Sequence, residues 1–135
     1  MTDPKLSLKE ILEGHWALGF EPKFSTDWYQ AGEQLPQVVV SHILTQPRYL
    51  GFTDNHPRAQ RRFEAVYAVD VWSKGDQEAR WRMVWEVDRI LHSVCDEPGG
   101  GLEWLESMAW RDLDEGGMHP RLYRSRVRVS VLYYR

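Results

Sequence analysis

Apolar positions recur along this chain with two different periods, and the switch between them marks out the elements. Near the N-terminus Leu8, Ile11 and Leu12 share one helical face. Ser7 is placed to cap that helix, with Glu10 three residues on in capping-box spacing, and Gly14 is placed to end it. This predicts a short helix over residues 8–13. Residues 19–37 carry Pro22, Gly32 and Pro36 and read as irregular, with room for a short extended segment between Phe24 and Tyr29. The β-branched run from Val38 to Leu44 predicts a strand, followed by a loop over residues 46–62.

Residues 63–72 form the clearest strand. Phe63, Ala65, Tyr67, Val69 and Val71 fall on one face, and Glu64, Val66, Ala68, Asp70 and Trp72 on the other. Apolar residues on both faces imply a central strand covered on both sides. After the break at Ser73-Lys74-Gly75, Asp76 caps a helix over residues 77–94, and Gly99-Gly100-Gly101 stops it as a flexible joint. Residues 102–112 alternate loosely and read as a strand. Gly116, Gly117 and Pro120 mark a hairpin turn into a last strand over residues 123–134. There Val127, Val129, Val131 and Tyr133 face the core, and Arg124, Arg126, Arg128 and Ser130 face outward. The expected architecture is one α+β domain over residues 1–135. It has a largely antiparallel sheet, one main helix packed on it and a short N-terminal helix.

The main helix is apolar on two sides. Taking 100° per residue, Ala79, Met83, Val87, Ile90 and Val94 form the stripe that should face the sheet. Trp81 and Trp85 lie on the opposite side near Asp88 and His92, where a surface helix should be polar. Either the chain covers these indoles itself, with the segment around Trp28 and Tyr29 or the loop from Tyr49 to Phe52, or another subunit does. In the second case Trp81, Trp85, Asp88 and His92 are the interface candidates.

Composition narrows the setting. The 135 residues carry a net charge of −3, which gives the whole chain no electrostatic footprint for nucleic acid, and no specific nucleic-acid contact is expected. The lone cysteine, Cys95, excludes an internal disulfide and reads as a small apolar residue at a helix end. No signal peptide and no apolar run of spanning length is visible, so the expectation is a protein without a membrane partner, assembled in a cytoplasm. Seven tryptophans are unusual, and serve cores and interfaces alike.

Chemistry is hard to find. The histidines at 15, 42, 56, 92 and 119 lack metal-ligand spacing, and no nucleophile elbow or phosphate loop occurs. Glu103, Glu106 and Asp112 are the only weak hint of paired acids, with solvated loop positions the plainer reading. No enzyme activity, cofactor or metal is expected. Arg58, Arg61 and Arg62 form one basic cluster, and Arg124, Arg126 and Arg128 another. These six could meet acidic groups on a partner, or could simply be solvated charge guarding a sheet edge.

The stretch from Arg62 to Ala79, RFEAVYAVDVWSKGDQEA, runs from a strand ending in Val-Trp-Ser through a Gly-Asp turn into a helix with an early alanine. It resembles the tail terminator and tail-completion, or head–tail joining, proteins of long-tailed bacterial and archaeal viruses. The resemblance covers about half the chain and rests on pattern. It implies a structural virion protein whose copies form a ring, often hexameric, that caps the tail tube and joins it to connector proteins. It implies no catalytic residues. It would make Trp81 and Trp85 subunit contacts and let the arginine face line a ring or meet an acidic partner. A rival reading is a small-ligand or peptide-binding module whose tryptophans line a pocket.

Overall fold

A computed structural model describes residues 3–32, 34–48, 62–114 and 122–134. Along the chain these residues form α1 (Pro4–His15), β1 (Lys23–Thr26), β2 (Gln37–Arg48), β3 (Arg62–Lys74), α2 (Gln77–Ser93), β4 (Trp104–Asp112) and β5 (Leu122–Tyr134). The strands make one five-stranded sheet in the order β1-β2-β3-β5-β4. All neighbours run antiparallel except β1 and β2, so the sheet is mixed. The fold is α+β, with the main helix packed on the sheet.

α1 starts earlier than the apolar pattern implied. Asp3 is its cap, accepting a hydrogen bond from the Lys5 amide at 2.9 Å, and Pro4 occupies the first turn, where its missing N–H costs nothing. Ser7 is therefore not a cap but a buried residue inside the helix. Its hydroxyl donates to the Gly100 carbonyl at 2.7 Å. Gly100 stands at φ 62°, and a Cβ there would lie 2.9 Å from the Ser7 Cβ. The glycine run after α2 is thus a packed corner holding α1, not a free joint.

Both helices lie on the same side of the sheet: α1 over β1 and β2, and α2 over β3, β5 and β4. The core between the layers joins Leu8, Ile11 and Leu12 of α1 to Met83, Val87 and Ile90 of α2. Beneath them lie Val38 and Val40, alternate residues of β3, and Val127, Val129 and Val131. Ala79 and Val94, at the ends of the expected stripe, are half-buried, while Val84 and Leu91 are fully enclosed.

β3 is central, as its two apolar faces imply, but among the described residues helices cover only one of them. On the other face Trp72 clusters with Val39 and Leu122, under Tyr29 and Leu35. The Tyr29 ring stacks on Trp72 at 4.4 Å. The segment carrying Tyr29 is pinned by the buried Gln37 side chain, which bonds the backbone of Gln30 and Gln34. Beyond that cap, Asp70 and the arginines of β5 cover the face.

Two β-bulges sit at one level of the sheet. Ile43 is the extra residue of β2 opposite Tyr67 and Val66, and Met108 is the extra residue of β4 opposite Val129 and Arg128. Tyr67 and Val129 are themselves paired, so both bulges bend the sheet at the same height.

Candidate functional site

α2 begins where Asp76 accepts from the Ala79 amide at 3.1 Å, and this fixes the phase of its outer side. Trp81 and Trp85 project there, 48% and 50% exposed, with ring centroids 6.3 Å apart. The Trp28–Tyr29 segment does not cover them: Tyr29 is on Trp72 and Trp28 is itself exposed. The other suggested cover, residues 49–52, lies outside the described residues, as do Arg58, Arg61, His56, His119 and the turn at 116–120.

A third indole completes the cluster. Trp110 of β4, 40% exposed, meets Trp85 edge-on at 5.4 Å. Met108 is exposed on the same strand. Sequence reasoning missed Trp110 because strict alternation from Leu105 puts it on the helix-free face. The Met108 bulge adds one residue and turns Trp110 toward α2.

Asp88 does not point outward unengaged. It accepts from the Ser107 hydroxyl at 2.6 Å and fastens α2 to β4. His92 is exposed at the end of the helix. β4 is an edge strand. Its Leu105 amide bonds the Cys95 carbonyl, and no strand pairs with its outer side among the described residues. On the opposite flank β1 pairs only as far as Val40, so β2 from Ser41 onward has no outer neighbour among them either.

The helix-free face carries the arginines, in two groups. Asp70 accepts from Arg124 at 2.7 Å and from Arg126 at 2.8 and 3.1 Å. The Asp70 hydrogen bond raises the Arg126 pKa, against the opposing effect of burial. The Arg124 guanidinium also lies over the Trp72 ring at 4.9 Å. Arg128 is exposed and joins no carboxylate among the described residues. Arg62 is half-buried at the start of β3.

Two polar residues on the buried side of α2 escaped the periodicity. Arg80 is fully enclosed, with Nη1 donating to Asp114 at 2.5 Å, Nη2 3.5 Å from Asp112, and its guanidinium over Tyr123 at 5.4 Å. Glu86 accepts from the Ala17 amide at 2.6 Å and from Arg89 at 2.7 Å. The Arg89 hydrogen bond holds its carboxyl below the ordinary 4.5, although burial opposes this.

The three acids considered for catalysis do not converge. Glu103 immediately precedes β4 and Asp112 is its last residue, about 30 Å apart at the strand's rise per residue, and Asp112 is occupied with the Ser125 hydroxyl at 2.6 Å. Among the described residues no three His, Cys, Asp or Glu side chains could share a metal ion, and no helix is long and apolar enough to cross a membrane. No known protein-family model matches the chain, and no curated protein matches it.

Proposed function

We propose that this chain is a structural assembly protein whose copies close into a ring, as a tail terminator or head–tail neck subunit of a long-tailed virus would. The observation that carries this reading is the cluster of Trp81, Trp85 and Trp110 beside the edge of β4 that is unpaired among the described residues. Three indoles left 40–50% exposed present roughly 300 Å² of apolar surface. Burying that area is worth about 7 kcal/mol gross, while association costs about 4–15 kcal/mol in lost freedom. The indoles alone thus make at best a weak contact. Indoles next to a strand edge can add main-chain hydrogen bonds to a neighbour's sheet and make a specific one.

A ring needs two different patches on each subunit. The edge of β4 with its indoles supplies one, and the edge of β2 beyond Val40, which has no outer neighbour among the described residues and exposes Ile43 and Leu44, supplies the other. These lie at the two ends of the same sheet, so head-to-tail contact continues the sheet from copy to copy. The rival reading, a ligand pocket lined by tryptophan, has less support. The space beside Trp81 and Trp85 is ≈ 490 Å³, within the usual range of about 300–1,000 Å³ for small-molecule sites, but its polar groups Glu86 and Arg89 already bond each other and leave few donors or acceptors to orient a ligand.

Light scattering on the full chain tests the reading through Trp85→Glu. Because Trp85 is half exposed, the variant should keep the fold by circular dichroism. It should lose the oligomer, with apparent affinity falling at least about thirtyfold, the effect of about 2 kcal/mol at an interface hot spot. An oligomer that survives Trp85→Glu and Trp110→Glu unchanged would remove the patch from the contact.

A further inference from the structure

The helix-free face of the sheet holds a cavity of ≈ 450 Å³. Its lining joins Ile43 of β2 to Ala109, Trp110 and Arg111 of β4, although β3 and β5 lie between those strands. The two bulges at the Tyr67–Val129 level curl the face enough to bring them round one space. Leu113 adds a further apolar wall, and Arg126 and Arg128 of β5 complete the polar side.

The charges around this space are unbalanced. Arg111 pairs directly across the ladder with Arg126, and Ala109 with Arg128. Like charges directly opposite each other on a sheet are destabilising. Asp70 answers Arg126 but is shared with Arg124. Arg111 and Arg128 are exposed and meet no carboxylate among the described residues. The fold therefore gathers three guanidiniums around an apolar-walled cavity with one shared carboxylate.

We infer that this cavity receives an acidic peptide segment of a partner protein, with a carboxylate between Arg111 and Arg128 and an adjacent apolar side chain against Ile43, Ala109 and Leu113. Guanidinium pairs carboxylate through two parallel N–H donors, and such charge-assisted bonds are about twice as strong as neutral ones. The apolar wall favours peptide over nucleic acid, whose phosphates bring no hydrocarbon with them. Ile43 and Trp110 also belong to the two edge patches proposed above, so a neighbouring copy and the peptide would compete there; the inference itself rests on Arg111, Arg126 and Arg128.

The test is titration of the full chain with N-acetyl-leucyl-glutamyl-glutamyl-leucinamide, followed by amide chemical shifts, beside its glutaminyl counterpart and a short oligothymidylate. The acidic peptide should shift the amides of Ile43, Arg111 and Arg128 at millimolar concentration, and the glutaminyl peptide should bind at least about tenfold more weakly. Arg128→Gln and Arg111→Gln should each weaken binding about tenfold, and Lys9→Gln on α1 should leave it unchanged. Equal binding of the two peptides, shifts confined to Trp81 and Trp85, no binding by the acidic peptide, or preference for the oligothymidylate would each overturn the inference.

Discussion

At Gly100 the backbone stands in the left-handed region and a neighbouring helix comes within contact of the missing side chain. Gly100→Ala meets both penalties at once. It should lower unfolding stability by about 2 kcal/mol or more, whereas Gly101→Ala, at φ 82° with open space around it, should cost only about 1 kcal/mol. Urea unfolding midpoints at constant slope separate the two. Asp70 is the other residue on which much depends. Removing it as Asp70→Ala strands two partly buried guanidiniums and should cost about 3 kcal/mol by the same measurement. Such residues were only partly legible in the sequence. The glycine run was visible, but its contact with Ser7 spans 93 positions and leaves no local pattern. Arg80 is hidden for a related reason: an arginine on a helix reads as solvent-facing until Asp112 and Asp114, over thirty residues away, are brought to it.

Among the elements, α2 was the most legible, because its cap, its apolar period and its glycine stop agree. Sequence reasoning also placed β3 and β5 within a residue or two at each end. α1 was cut short because Asp3-Pro4, a cap followed by a first-turn proline, was passed over in favour of Ser7. The bulges were invisible to alternation, and with them went the facing of Trp110 and the curl that forms the arginine cavity. α2 also holds the pH-sensitive contact. Glu86 ties the helix to Ala17 in the segment after α1, and its carboxyl titrates below 4.5 in the folded chain. A depressed carboxyl contributes stability above its unfolded value and loses it as pH falls through the folded one. The wild type should therefore lose stability through this group as pH falls below about 4.5. Glu86→Gln should be less stable at pH 7 and show a flatter acid limb when unfolding is followed from pH 7 to pH 3.

For the molecule as a whole, the α+β class and the single main helix followed from the order of periodic segments. The parallel pairing of β1 and the placement of both helices on one face did not, since four residues of β1 carry no alternation to reveal a partner. The one-sided layering has a functional consequence. It leaves a curled, arginine-bearing face on one side, and on the other a helix whose outer indoles meet an open strand edge. Among the described residues the sheet ends in two unpaired edges, one flanked by three indoles, and the proposed viral ring rests on that geometry. Native mass spectrometry of the full chain across micromolar concentrations tests this most directly. The account predicts one closed oligomer at a single integer multiple of 15.9 kDa. A monomer at every concentration, or an open ladder of masses with no preferred size, would contradict it.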